Sequence, residues 1–324
     1  MRREVALSLR DVPAANSVNI LVDLARGYDG QDRTYLEALG TGADGKEAAL
    51  YGRLRRELGV KDDPLTWSTA FARIAWRLHV PAEVPDLTAR AQSSTLPASE
   101  RRLALDTIAF VKDPAASKAM LTLAQADTPL RESATWWLLN RMSNDWAEYE
   151  LRPALKAAGI YDPDAITLKE VVVPKPAADL PELALDEVVR LTGDAARGKS
   201  TAQRCLMCHA IEGSGAEFGP ALDGWGRGKS PEVVARAIIR PSAEIAHGYD
   251  GMEIRTKDGL TIQGVVIKEG DPLMMRSMGG ITQIIPMDRV ASRRRIPESL
   301  MMSAAQLGLT TQDVADLVAF LRGN

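Results

Sequence analysis

Cys205-Leu-Met-Cys208-His209 is the stretch of this 324-residue chain whose residue types and spacing can do chemistry. Its cysteines are the only two in the sequence, and His209 is one of three histidines. Cysteines at positions i and i+3 on the last turn of a helix lie on one face. In the order C-x-x-C-H they match the attachment pattern of haem c. The thiols form thioethers to the two vinyl groups, and the adjoining imidazole binds iron from the proximal side. Two other chemistries use cysteines at this spacing. A thioredoxin-like redox pair belongs beside a βαβ pattern, whereas here one flank is helical and the other a glycine-rich loop. A zinc site would draw on Cys205, Cys208, His209 and His247, with adjacent Cys and His as awkward ligands and no second C-x-x-C.

The elements that must position this motif follow from the pattern around it. A helix over 194–206 leads into it, a loop with Gly213, Gly215 and Gly219 follows, and a second helix covers about 230–240. Alternating runs at 252–256, 260–268, 273–278 and 281–286 then predict a small antiparallel sheet of about four strands. Asp258-Gly259, the stretch 269–272 and Gly279-Gly280 are the turns between them. An amphipathic helix over 310–321 closes the chain, with Val314, Leu317, Val318 and Leu321 on its apolar face. Met252, Met274, Met275, Met278 and Met287 fall on or beside strands, where core packing is their use.

Upstream the rhythm differs. Helical periodicity recurs at 17–27, 46–59, 64–78, 99–111, 115–126, 130–142 and 145–158, with breaks such as Lys112-Asp113-Pro114 that offer a cap and a first-turn proline. Short helices joined by tight turns point to a HEAT-like α-solenoid, with a non-repetitive bundle as the alternative. Trp67, Trp76, Trp136, Trp137 and Trp146 fall in this half and read as inter-helix packing, as does His79. Pro174, Pro176 and Pro181 oppose regular helix and mark an extended connector. The organisation is therefore 1–160 helical repeats, 161–186 Pro-rich linker, and 187–324 a mainly α domain with a β insertion at about 250–290. At 45% apolar and 26% charged the chain is globular. A net charge of −3, extreme in neither half, gives no footprint for nucleic acid, and no apolar run is long enough to span a bilayer.

The flanks of the motif sharpen the reading. Gly193-Asp-Ala-Ala-Arg-Gly198 before it and Gly219-Pro220-Ala-Leu222 after it resemble class I cytochrome c domains. Pro241-Ser-Ala-Glu-Ile245, Gly248-Tyr249 and Ser299-Leu300-Met301 resemble, more narrowly, the haem-binding domain of large planctomycete and verrucomicrobial proteins, over roughly 187–324. The resemblance implies a cytochrome c fold, a proximal His209 whose imidazole is bonded by the Pro220 carbonyl, and Leu222 packed near the haem. It places the distal methionine in the loop before the last helix. Aligning Ser-Leu-Met favours Met301. Met302 is second, standing where the family has proline, and His247 is a further alternative. Ala38-Leu-Gly-Thr-Gly-Ala-Asp-Gly45 and Ile74-Ala-Trp-Arg77 are similar to the helical repeats that precede this domain in longer chains. The chain is then expected to be the C-terminal part of a membrane-bound dehydrogenase-like protein.

These readings combine into an expected electron-transfer protein with one covalent haem c. The helical half is its docking surface for an oxidoreductase partner, a dehydrogenase by resemblance. An open distal site would instead make a peroxide-reducing enzyme or a gas sensor. A third reading makes the helical half the binder and the haem a structural staple. Trp225, Arg227 and the run Arg293-Arg294-Arg295 are weighed as propionate contacts, the run also as a solvated face or a site for an acidic partner. Thioether attachment is made outside the cytoplasm, so the expected location is the periplasm or cell envelope. The opening Met1-Arg-Arg-Glu-Val-Ala-Leu7 carries no apolar export signal and reads as an amphipathic helix entered in mid-pattern.

Overall fold

The computed structural model describes residues 1–58, 60, 62–175 and 180–323, which divide into two compact units, one ending at Asp162 and one starting at Pro163. Among the described residues the chain is mainly helical, with one five-stranded antiparallel sheet in the second unit and no helix long and apolar enough to cross a membrane.

Among the described residues of the first unit ten α-helices follow one another: α1 (Arg2–Ser8), α2 (Ala14–Arg26), α3 (Arg33–Gly42), α4 (Glu47–Glu57), α5 (Thr69–Leu78), α6 (Val84–Gln92), α7 (Ala98–Phe110), α8 (Pro114–Gln125), α9 (Arg131–Arg141) and α10 (Arg152–Ala157). Side-chain caps set several starts: Asp32 accepts from Tyr35 N–H at 2.9 Å, Ser68 from Phe71 N–H at 3.2 Å, and Asp113 from Ala115 N–H at 2.8 Å. Helices α1, α3, α5, α7 and α9 neighbour one another in a row, while α2 packs on α4 and α6 on α8. Two expected helices are broken. The one over 64–78 is a 3₁₀ turn, Pro64–Thr66, followed by a fresh start at Ser68, whose side chain caps α5. The one over 145–158 is interrupted by Glu150 in the left-handed region, φ 48°. The helix expected over 46–59 ends at Glu57, and Gly59 lies outside the described residues. Lys46, buried, donates to the carbonyls of Leu9, Arg10 and Val12 at 2.7, 2.8 and 3.0 Å and ties the end of α1 to the start of α4. Trp67 and Trp146 are buried, whereas Trp76, His79, Phe110, Trp137 and Trp136 form a chain of ring contacts between helices.

The second unit opens with an extended strap, residues 163–175, which belonged to the expected linker. It lies on the sheet: Val171 N–H donates to Thr261 O at 3.1 Å, Gln263 N–H to Val171 O at 2.7 Å, and Leu168 is buried in the sheet's core. Residues 176–179 of that linker lie outside the described residues. Helices α11 (Leu185–Arg190), α13 (Pro231–Ile239) and α14 (Thr311–Gly323) share one apolar core, which Ala202 joins just past α12 (Ala195–Thr201). The sheet is built from β1 (Gly251–Thr256), β2 (Thr261–Lys268), β3 (Leu273–Ser277), β4 (Ile281–Ile285) and β5 (Val290–Ile296), in the order β4-β3-β2-β1-β5. Four of these strands were expected. The fifth is the arginine run. Arg293, Arg294 and Arg295 pair with Glu269, Glu253 and Asp250 at 2.8, 3.1 and 2.5 Å, which leaves an edge strand lined with paired charge.

Helix α12 is pressed onto α14 by glycine. A Cβ on Gly193 or Gly198 would collide with the backbone carbonyls of Ala315 or Asp316. The Asp316 side chain, 3% exposed, sits at this crossing and accepts from Asp194 N–H at 2.7 Å, Arg197 Nε at 2.7 Å and Gln312 Nε2 at 2.9 Å. Chiefly through the Arg197 bond, its pKa is lowered from 3.8 to about 2, against the opposing effect of burial.

Two outcomes test this crossing. Gly198→Ala should cost about 1–3 kcal/mol by overpacking, whereas Gly52→Ala, on an open side of α4, should be neutral or stabilising; chemical unfolding of both variants reads the difference. Because the Asp316 pKa is depressed on folding, its contribution is present above the unfolded value and is lost as pH falls through about 2. Thermal unfolding should therefore lose on the order of 2 kcal/mol between pH 4 and pH 2, and Asp316→Asn should flatten that part of the profile.

Candidate cofactor site

The motif sits where α12 gives way to a tighter coil. The helix begins at Asp194, whose carboxylate accepts from Arg197 N–H at 2.9 Å, and passes after Thr201 into a 3₁₀ segment, Ala202–Met207, rather than continuing as α-helix to 206. The Cys205 carbonyl accepts from both Cys208 N–H at 3.0 Å and His209 N–H at 2.8 Å, which winds the two cysteines and the histidine into one turn. The chain then folds back under that turn. Gly213 and Gly215 supply positive φ of 75° and 101°, and Glu212 follows the same course at 50°. Ala216 N–H reaches Leu206 O at 2.8 Å, Phe218 N–H reaches Cys208 O at 3.0 Å, and Leu222 N–H reaches Ala210 O at 2.9 Å.

This return brings Pro220 beneath the imidazole. His209 Nδ1 and Pro220 O are 2.7 Å apart, and His209 as a whole is 7% exposed. Gly219 makes the approach feasible, since a Cβ there would stand 2.5 Å from the ring's Cε1. Burial pushes the His209 pKa below its ordinary value, and the Pro220 bond pulls the other way. A neutral ring that donates Nδ1–H to a carbonyl keeps its lone pair on Nε2, the arrangement a metal-binding histidine needs.

Cys205, Cys208 and His209 line one largely apolar cavity that is partly open to solvent. Pro220, Leu222 and Trp225 line it from the returning loop, Ile238 from α13, and Leu317 and Leu321 from α14. Of the distal candidates Met301 lines the cavity; Met302 and His247 are not among its lining residues. Arg227 does not line it either, and the arginines of β5 are engaged with their own carboxylates. Met274 and Met275 are buried in the sheet, as expected of core residues. Val265 of β2 and Tyr249 also line the cavity. Spacing gave no reason to single out Val265, an ordinary apolar strand position. Tyr249 stood out only as half of a Gly-Tyr pair.

Other chemistries of the motif fare less well. The thiols are free, and burial pushes both pKa values up, Cys205 further helped by the neighbouring Cys208. A redox C-x-x-C needs the opposite shift. Among the described residues no three His, Cys, Asp or Glu side chains come together to hold a metal ion, so Cys205, Cys208, His209 and His247 do not assemble into a zinc site. A covalent haem fits the residues present: two thiols and a free imidazole nitrogen on one apolar cavity, with a thioether side chain also lining it. No protein-family model matches the chain, and a search of curated proteins finds no match.

Proposed function

We propose that this chain transfers electrons through one haem c held in the cavity at Cys205, Cys208 and His209. The carrying observation is the 2.7 Å contact of His209 Nδ1 with Pro220 O, which leaves Nε2 as the free donor beside two thiols. When bound, haem supplies one-electron iron chemistry, and His/Met ligation raises the potential and favours electron transfer over reactions of oxygen or peroxide. Cys205 and Cys208 anchor the group by thioethers. Pro220 fixes the tautomer and orientation of His209 and raises its basicity as a ligand. Leu222, Ile238, Leu317 and Leu321 would shield the bound group from water, and Met301, which lines the same cavity, would supply the second side-chain ligand to its iron. On this reading the second unit is a cytochrome c fold carrying a β insertion.

The first unit serves as scaffold and docking surface for an oxidoreductase partner, a dehydrogenase in kind. Its alternating row of helices, α1, α3, α5, α7 and α9, supports a HEAT-like solenoid. Attachment of haem by thioethers places the working protein in the periplasm or cell envelope.

Expression with haem-attachment machinery, followed by spectra before and after denaturation, is the direct test. Haem that stays bound through denaturation, with six-coordinate low-spin bands, is expected; Cys205→Ala with Cys208→Ala should abolish retention. High-spin five-coordinate iron would sink the electron-carrier reading in favour of an open-site enzyme or sensor, and zinc in place of haem would sink both. The ligand assignment has its own readout. Met301→Ala should lose the long-wavelength methionine–iron band and lower the potential, and Met302→Ala should keep both.

A further inference from the structure

The loop that carries Met301, residues 297–310, has no regular secondary structure, so its shape rests on tethers. Ser299 N–H donates to Ser242 Oγ at 3.0 Å, Met301 N–H to Ser299 Oγ at 3.1 Å, and Ala304 N–H to Ile238 O at 3.0 Å. Arg204, the residue before Cys205, donates to Leu307 O at 3.0 Å. A further tether comes from the strap. The Gln306 amide works at both ends: its Oε1 accepts from Ser303 N–H at 2.9 Å inside the loop, and its Nε2 donates to Pro174 O at 3.1 Å.

The strap itself is held firmly. Gln283 of β4 grips Lys169 as a backbone strand would, accepting from its N–H at 3.0 Å and donating to its carbonyl at 2.6 Å. Gln263 of β2 accepts from Val173 N–H at 2.9 Å. Val173 packs in one apolar cluster with Leu300, Phe218, Val265 and Cys208. Leu300 is the residue before Met301 and is 6% exposed. The strap thus meets the methionine loop twice, through an amide bond at Gln306 and through apolar packing beside Leu300.

We propose that the strap is a positioning element for the distal methionine: Val173 and the Gln306–Pro174 bond hold the loop so that Met301 stays over the cavity. The inference rests on Met301 being the distal ligand. A methionine–iron bond is weak enough for an added ligand to displace it, so its occupancy follows how firmly the loop is held. Loss of one hydrogen bond of ordinary strength should make displacement about fivefold easier.

The experiment uses the full haem-loaded chain and imidazole as competitor, with the methionine–iron band as readout. Gln306→Glu keeps the acceptor for Ser303 N–H and removes the donor to Pro174 O. Val173→Ala keeps both bonds and thins the packing beside Leu300. Gln306→Glu should let imidazole displace methionine at about fivefold lower concentration, and Val173→Ala should shift the displacement in the same direction through lost packing. Thr256→Val, which removes the acceptor of Leu260 N–H in the β1–β2 hairpin, away from the loop and the cavity, should lower unfolding stability and leave imidazole affinity as in the parent. Unchanged imidazole affinity in both strap variants overturns the proposal, and so does an equal gain in Thr256→Val, which would mean general softening. A parent protein without the methionine–iron band refutes the Met301 assignment itself, an outcome separate from a band that is present and indifferent to the strap.

Discussion

Where α12 crosses α14, backbone lies against backbone, and the geometry of the whole second unit is referred to that contact. Gly193 and Gly198 leave no side chain between the two helices, so the carbonyls of Ala315 and Asp316 fix how close they come. Asp316 then fixes rotation, because one carboxylate gathers a backbone N–H, a guanidinium and an amide in the same place. A short helix of seven residues is marginal alone. Held this way it becomes a rigid arm, and the turn at its end delivers Cys205, Cys208 and His209 to a wall whose opposing apolar surface includes Leu317 and Leu321 of the same α14.

From that arm the rest of the site is built by return of the chain rather than by further helices. Positive-φ glycines let the loop double back within a few residues, and Gly219 lets it lie flat against the imidazole. The sheet adds a wall through Val265, and the strap ties sheet and methionine loop together. At the motif the His209 Nδ1–H meets the Pro220 carbonyl, and burial in apolar surroundings raises the pKa of both thiols. Low polarity and a single oriented nitrogen are what a large flat hydrophobic cofactor needs from its protein.

What could be read from the sequence is what is local. The spacing of Cys205, Cys208 and His209 lies within one turn; Pro220, eleven residues beyond His209 in the return loop, stood out only through the resemblance of Gly219-Pro220-Ala-Leu222 to class I cytochrome c domains. Strands β1 to β4 announced themselves by turn residues. Strand β5 did not, because residues 291–295 are all exposed and offer no apolar alternation, and the partners of Arg293, Arg294 and Arg295, Glu269, Glu253 and Asp250, lie tens of residues upstream. The strap read as a linker for a similar reason. Its prolines exclude helix, but the amides that dock it, Gln263 and Gln283, come 90 and 114 residues later than the backbone groups they hold. In the first unit Ser68 looked like one more helical residue, although its hydroxyl starts a new helix.

The crossing of α12 with α14 also sets an order of events. Asp194 and Asp316 are 122 positions apart, so on a growing chain the cysteines emerge long before the helix that helps to enclose them. Through that interval both thiols stand open to a reaction partner. Once α14 docks, Cys205 packs on the core that this helix helps to build, and Leu317 and Leu321 close one wall of the cavity. The last helix is thus also the last wall, and the cysteines are reached most easily before it arrives.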